Sequence, residues 1–309
     1  MTNYLSTHLQ LLALQSIPKI SEKLGIKTNL PNFFELYGSP PESCIKVMKK
    51  LSNILEEFIN KYKISWWDIY IESDIGKERV LITKEIDLSK EDYVVDFGCG
   101  RGYSTIAVAK LVSYVIGIDL MNGFGRYNWW LHFNKAMKLL KLDHKVQGIR
   151  TNAIKTPFKD SYFDVTITVH SLRNFHSINE IVQAIREMKR ITKENKYIFI
   201  VENLREAKNV KQRIHLKLHS LRVRLLHDEL NYFSKEELIR IVNNVGFKDI
   251  EIKIVNYNLC STPVVFYINQ EKYNRIENNI LNEYKKTIKL VRRIGEESTP
   301  VIIIKAKKK

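Results

Sequence analysis

The chain has 309 residues, and 50 lysines and arginines against 34 acidic residues give it a formal net charge of +16. Its three cysteines, Cys44, Cys99 and Cys260, are odd in number and widely spaced, which argues against a disulfide framework or zinc cluster and for a cytoplasmic protein. Neither a membrane span nor a signal peptide is expected, because no apolar run reaches ~18 residues and the N-terminus lacks a basic start and a cleavage site.

The first 88 residues are predicted to form a helical extension. Leucines at helical spacing predict a helix that Pro18 ends, and a second short helix is predicted over residues 21–24. A longer helix is predicted over 45–62, followed by the aromatic segment 65–71. Two interpretations of this extension stay open: a lid whose aromatic side chains shape a substrate pocket, or a helical layer packed against a sheet.

A glycine-rich segment follows the first predicted strand, Tyr93–Val95. Residues 96–102 read DFGCGRG, and helical spacing begins at Tyr103. Glycines between a buried strand and a helix N-terminus let the backbone approach a ligand closely. The spacing argues against a dinucleotide fingerprint, which needs its third glycine where Tyr103 stands, and no Gly-Lys-Ser/Thr follows as in a phosphate-binding loop.

This segment resembles the first motif of the class I S-adenosylmethionine (SAM)-dependent methyltransferases, Asp/Glu-x-Gly-x-Gly-x-Gly, at every position. The resemblance implies SAM as cofactor, with Asp96 receiving its cationic amino group directly or through water. It also implies an α/β fold, a seven-stranded mostly parallel Rossmann-like sheet with helices on both faces. It covers residues 88–256 and resumes at Pro300–Lys305, so residues 89–309 are expected to form the methyltransferase domain.

Further cofactor contacts are predicted at the ends of later strands. Asp119 ends a second apolar run, where nucleotide sites and this family place the acid that binds ribose; the alternative is an aspartate that caps the next turn. Asn152 stands where many members carry an aspartate that contacts the adenine amine, and an amide oxygen can also accept from that amine. The predicted cofactor contacts are Asp96, Gly98, Cys99, Gly100, Gly102, Asp119, Leu120, Asn152, Ala153 and Val169.

A candidate general base follows the fourth predicted strand. The family lines its acceptor pocket at the position of His170, and an imidazole there can deprotonate a hydroxyl, phenol or thiol near neutral pH. The alternative is a histidine that orients its loop by hydrogen bonding. Ser171, Arg173 and Asn174 share this loop and are the candidate substrate contacts. The loop lacks the proline pairs of enzymes that methylate exocyclic base amines, and the chain lacks a Pro-Cys pair for cytosine C5 methylation.

Helical insertions are predicted at 204–232 and 270–293. The first interleaves basic residues with leucines, which predicts an amphipathic helix whose basic face serves RNA, anionic lipid or solvent alone. His215 and His219 lie one turn apart there, but no third ligand is evident, so no metal site is predicted. A capping box at Ser234–Glu237 predicts the start of another helix.

The expected function is methyl transfer from SAM to a small-molecule or lipid- or quinone-like acceptor. Such a transfer requires the nucleophile and the methyl group to be held in line. The basic charge leaves two alternatives open, an RNA or protein methyltransferase with an RNA or acidic partner, and a non-catalytic SAM-binding protein. The sequence predicts no oligomeric state.

Overall fold

A computed structural model of the chain describes residues 7–28, 30, 32–38, 52–120, 129–226, 232–265, 268 and 274–308. Two compact units emerge from the contacts within it. We call the first the helical unit and the second the sheet unit; they comprise residues 1–78, 207–228 and 258–299, and residues 79–206, 229–257 and 300–309, respectively. Cys44 and parts of the predicted 45–62 and 270–293 helices lie outside the described residues.

The sheet unit contains seven strands, as predicted. They are β1 (Tyr93–Phe97), β2 (Tyr114–Asp119), β3 (Val146–Arg150), β4 (Phe163–Val169), β5 (Thr192–Asn203), β6 (Lys248–Val255) and β7 (Val301–Lys307). Their order is β3-β2-β1-β4-β5-β7-β6. Neighbours among β1 to β5 are parallel, whereas β7 is antiparallel to both β5 and β6. The prediction of a mostly parallel sheet is confirmed.

The central strands bury consecutive residues, which point to opposite faces of the sheet. These runs are 94–97 in β1, 165–169 in β4 and 198–203 in β5, as expected where helices cover both faces. The helices of the described chain are α1 (Thr7–Lys23), α2 (52–61), α3 (Trp66–Glu72), α4 (Asp74–Thr83), α5 (Tyr103–Ala109), α6 (Trp129–Leu139), α7 (Ile178–Ile191), α8 (Val210–Leu226), α9 (Lys235–Asn243) and α10 (Asn278–Ile294). None of these helices is both long enough and apolar enough to cross a membrane.

Two local predictions at helix boundaries had different outcomes. The capping box before α9 is confirmed, since the Ser234 side chain accepts from the Glu237 backbone and the Glu237 side chain accepts from the Ser234 N–H. The prediction that Pro18 ends the first helix is wrong, because α1 continues through it to Lys23. Proline removes one backbone hydrogen bond, and the burial of Ile17 and Ile20 on either side offsets that loss.

Candidate cofactor and catalytic site

Four parallel strands end at one edge of the sheet and bring the predicted site residues there. Phe97, the last residue of β1, pairs with Ile118 of β2 and Thr168 of β4. Asp119 pairs with Arg150, the last residue of β3. The loops that follow these strands therefore share the carboxyl edge, where ligands bind in open α/β sheets.

The three glycines of the first loop meet different surroundings. All have positive φ, 67° at Gly98, 51° at Gly100 and 85° at Gly102. A Cβ at Gly98 would lie 1.7 Å from the Ser171 Oγ, and one at Gly102 would lie 2.6 Å from the Met137 Cε. A Cβ at Gly100 would meet no described atom within 4 Å. Gly98 and Gly102 therefore permit close packing, whereas Gly100 borders open space that a ligand can enter.

Asp96 is buried beneath this loop. Its carboxylate is 1% exposed and accepts a hydrogen bond from the Thr105 hydroxyl at 2.7 Å. Burial raises the pKa of Asp96 to about 7, with a further rise from Asp119 and a partly compensating decrease from the Thr105 hydrogen bonds and Arg79. A cation held close to Asp96 would stabilise its ionised form.

Asp119 and Asn152 each engage one side-chain oxygen with backbone. Asp119 is half-buried, and its Oδ2 accepts from the Gly100 N–H at 2.9 Å, which ties the second strand to the glycine loop. Asn152 is exposed, and its Oδ1 accepts from the Ile154 N–H at 3.1 Å, closing its own turn. These bonds orient both side chains at the edge of the sheet. Carboxylate and amide oxygens each have further lone pairs with which to accept from a ligand.

The other predicted cofactor contacts differ in exposure. Cys99 and Val169 are buried, 7% and 8% exposed. Ala153 is half-buried, and Leu120 is 44% exposed at the end of β2. The exposed Leu120 side chain offers an apolar surface to a flat ring, whereas the side chains of Cys99 and Val169 are enclosed within the protein.

His170 is held in a strained backbone conformation. Its φ is 54°, in the left-handed region, which costs a non-glycine residue roughly 1–2 kcal/mol. The surrounding structure maintains it, since its N–H donates to the Val201 carbonyl at 2.8 Å. The imidazole is half-buried, so a fixed backbone position supports a side chain that solvent or a substrate can reach.

Ser171 joins the loop of His170 to the glycine loop. It is 8% exposed, and its Oγ occupies the space that the missing side chain of Gly98 leaves. Asn174, three residues further, is exposed. Of these two candidate substrate contacts, Ser171 packs against the glycine loop, and Asn174 is exposed.

A buried network that sequence reasoning missed fixes the same loop. Glu202, near the end of β5, is 1% exposed and accepts from the Leu172 N–H at 2.7 Å. Its carboxylate lies 3.4 Å from the Arg173 Nε. Arg173 also donates to the Asn203 Oδ1 at 2.9 Å and to the Tyr232 hydroxyl at 3.0 Å. The guanidinium predicted to contact substrate is thus buried and anchors the loop from within.

Burial also changes the pKa of Glu202. Desolvation raises the pKa of its carboxyl above the ordinary value, although Arg173 and the backbone N–H groups oppose this rise. One signal in the sequence pointed to this residue, namely a single acid at the end of the apolar run YIFIV. An ionisable group in such a strand is rarely buried without a specific partner.

The sequence around this site is shared with known methyltransferases. Residues 95–200 match the family described as "Methyltransferase domain". A demethylmenaquinone methyltransferase of Staphylococcus saprophyticus is 24% identical over 193 residues, 57% of this chain and 78% of that protein. One of Corynebacterium glutamicum is 25% identical over 130 residues, 41% of this chain and half of that protein. The match of residues 95–200 supports the predicted family, the class I SAM-dependent methyltransferases.

A solved structure of this class has the same fold. The geranyl diphosphate C-methyltransferase of Streptomyces coelicolor, determined with S-adenosylhomocysteine (SAH) and its substrate, is 17% identical with a TM-score of 0.51. The comparison covers 78% of this chain and 81% of that chain. At this identity the likeness concerns the fold, and it agrees with the seven-stranded sheet described above.

The residues at the edge of the sheet of this methyltransferase fit SAM. The open space at Gly100 admits a ligand against the backbone, and Asp119 offers a half-exposed carboxylate beside it. The resemblance in sequence assigns the methionine end to the loop 98–102, the ribose to Asp119 and the adenine to Asn152 and Ala153. These contacts remain predictions. When bound, SAM supplies a methyl group on a sulfonium.

The helical unit of the methyltransferase contains a second buried polar network. The Glu296 carboxylate is 2% exposed and accepts hydrogen bonds from the Tyr37 hydroxyl and from the Val264 N–H. His215 lies within hydrogen-bond distance of the same carboxylate through Nδ1. Sequence reasoning considered His215 only as half of a metal pair. In the described part of the chain, no group of three histidine, cysteine or acidic residues is arranged to hold a metal.

Proposed function

We propose that the acceptor of this methyltransferase is a lipophilic ring that carries a hydroxyl group, of the quinol type. The names of the two relatives, both demethylmenaquinone methyltransferases, support this substrate class. The residues after β4, His170 to Arg173, include no proline, which argues against methylation of exocyclic base amines. A cytoplasmic location remains a prediction from the cysteine content.

In this proposal His170 is the general base. Its imidazole removes the proton of the ring hydroxyl, and the electron density gained by the ring makes an oxygen or an adjacent carbon nucleophilic. The new bond forms to the methyl carbon as its bond to sulfur breaks, and SAH leaves. If a ring carbon is methylated, the same histidine can accept the carbon-bound proton after the hydroxyl proton has been released to solvent.

One observation carries the proposal. The residue directly after His170 packs against the glycine loop, with the Ser171 Oγ 1.7 Å from the place of a Gly98 Cβ. His170 is therefore one residue from direct contact with the loop assigned to the methyl donor. Its backbone is held by Val201, and the turn that follows is held by Glu202. Such fixed placement is what in-line transfer requires of a base and donor.

The decisive substitution is His170→Asn. Asparagine tolerates the left-handed backbone that this position requires, so the base is removed without releasing strain. We expect kcat/KM for methyl transfer to a short-chain demethylmenaquinol in detergent to fall by about 100-fold or more. The affinity for SAH, measured by calorimetry, should stay within about twofold, since the variant leaves the glycine loop intact.

The matched control is Asn174→Ala, an exposed change in the same loop, with an expected effect on kcat below that of His170→Asn. Unchanged turnover in His170→Asn would remove the base assignment. Transfer of labelled methyl groups from SAM into the RNA or protein fraction of a cell extract, and not into the lipid fraction, would contradict the quinol-type acceptor. RNA or protein would then be the acceptor. Absence of transfer into every fraction, with SAH binding intact, would favour a SAM-binding protein.

A further inference from the structure

Two helices of the helical unit hold more than half of the net charge of the protein. Together α8 and α10 contain ten lysines and arginines and a single acidic residue, Glu283, which gives 34 residues a net charge of +9 out of +16. The two helices pack against each other. Charge of one sign concentrated on two neighbouring helices points to an anionic partner.

The single acid, Glu283, forms ion pairs with two residues of α8. Its carboxylate oxygens lie 3.0 Å from the Arg224 Nη1 and 3.5 Å from the Lys217 Nζ. These pairs hold its carboxylate, and the hydrogen bond from Arg224 lowers the pKa of Glu283. Glu283 is also the one acid of α10, so this helix supplies no second carboxylate to Lys286, Lys289 and Arg293.

These residues form a stripe on one exposed face of α10. Lys286, Lys289 and Arg293 follow at intervals of three and four residues, which places them on the same side of a helix. With Leu290 they line a shallow recess of about 310 Å³. In the part of the chain that the structure describes, no carboxylate forms an ion pair with any of the three cations. We call these four residues the α10 stripe.

We propose that the α10 stripe docks this methyltransferase on an anionic lipid bilayer. Clusters of lysine and arginine on an amphipathic helix bind anionic headgroups, and each charge adds to the attraction near the surface. The half-buried Leu290, which also lines the recess, matches the apolar boundary below the headgroups. This inference rests on the proposed lipophilic acceptor, which partitions into the bilayer where the stripe would hold the enzyme.

The composition of the two helices favours lipid over RNA. Single-stranded RNA is bound by basic grooves combined with aromatic side chains on which bases stack. The sequence of α8 has no phenylalanine, tyrosine or tryptophan, and the one aromatic residue of α10, Tyr284, is buried. The described face therefore offers charge without a stacking surface.

Vesicle co-sedimentation tests the proposal on the full-length protein. We expect binding to phosphatidylcholine vesicles with 30% phosphatidylglycerol, little binding to pure phosphatidylcholine, and release by 0.5 M salt. The triple variant Lys286→Gln, Lys289→Gln and Arg293→Gln should reduce the partition coefficient by on the order of 100-fold, since each charge contributes about fivefold. Lys286→Arg with Lys289→Arg keeps the charge and should retain binding.

The matched control removes three charges elsewhere. Lys138, Lys159 and Arg186 are exposed residues of the sheet unit, and their change to glutamine lowers the net charge equally. This control should bind vesicles like the wild type. An equal loss in both triple variants would overturn the α10 stripe as the docking site. Tighter binding to a single-stranded RNA than to anionic vesicles, lost in the α10 triple variant alone, would also overturn the proposal.

The docking surface and the proposed acceptor can fail independently. Methyl transfer to a short-chain quinol in detergent does not depend on a bilayer, so the α10 triple variant should keep it together with wild-type SAH affinity and far-UV circular dichroism. Vesicle binding without any transfer would contradict the acceptor and leave the docking surface standing. Transfer in detergent without vesicle binding would contradict the docking surface only.

Discussion

The sheet unit and the helical unit each bury a carboxylate, and the two carboxylates are surrounded differently. Glu296 in the helical unit accepts from Tyr37 and Val264 and contacts His215, so several groups from distant parts of the chain converge on it. Asp96 in the sheet unit accepts hydrogen bonds from Thr105, and burial raises its pKa to about 7. A carboxylate enclosed by several protein donors stabilises the fold, whereas Asp96, with a raised pKa two residues before the glycine loop, is a candidate partner for a cationic ligand.

The largest expected effect is the loss of Glu296. Glu296→Ala leaves the Tyr37 hydroxyl, the Val264 N–H and the His215 ring without their acceptor, and each buried group left unsatisfied costs about 1–3 kcal/mol. We expect the free energy of unfolding in urea to fall by about 3 kcal/mol or more. SAH affinity measured well below the unfolding midpoint should change little, because the glycine loop lies in the sheet unit.

The control is Glu283→Ala in the same unit, where an exposed ion pair is lost. Its side chain is 35% exposed, so its loss should cost at most about 1 kcal/mol. A Glu296→Ala protein as stable as the Glu283→Ala protein would mean that the buried network contributes nothing to the fold.

The next largest expected effect distinguishes the roles of Gly98 and Gly100 in the glycine loop. Gly98→Ala places a Cβ 1.7 Å from the Ser171 Oγ, and overpacking of this kind costs about 1–3 kcal/mol in addition to the left-handed backbone. Gly100→Ala meets open space, so its cost to the fold is about 1 kcal/mol from its φ alone. The first variant should lose stability, and the second should lose SAH affinity by tenfold or more at nearly native stability, both measured by urea unfolding and calorimetry.

A compensating change sharpens this test. Ser171→Gly removes both atoms that a Cβ at Gly98 would strike, so the double variant should regain most of the stability lost in Gly98→Ala. The same Ser171→Gly change should not restore SAH binding to Gly100→Ala. Rescue of both glycine variants, or of neither, would contradict the different roles assigned to the two positions.

The contrast between the units also separates what the sequence predicts from what it misses. The glycine loop, the position of Asp119 and the alternation of strands and helices were predictable because each depends on spacing within one strand, loop and helix. Glu202 and Glu296 were missed because their partners are distant, 30 positions away at Leu172 and 259 positions away at Tyr37. Pro18 was misinterpreted because tertiary burial, which local rules do not include, offset its missing hydrogen bond.

The smallest effect concerns pH, and it tests the poised carboxylate directly. The pKa of Asp96, about 7, lies above its ordinary value, so the folded protein holds a proton that the unfolded chain releases between about pH 4 and 7, and the free energy of unfolding should fall as pH rises through this range. A cationic amino group beside Asp96 lowers that pKa again. SAH affinity should therefore rise about fivefold from pH 6 to pH 7, reach about tenfold by pH 8 and then level off.

Calorimetry in buffers of different ionisation enthalpy should show a proton released on SAH binding at pH 6 and much less at pH 8. In Asp96→Asn the release should disappear, and affinity should no longer vary with pH in this window. Proton release that persists in Asp96→Asn would assign the titration to another group. In that case Asp96 would resemble Glu296 in supporting the fold, and the cation of the cofactor would be held elsewhere along the carboxyl edge of the sheet.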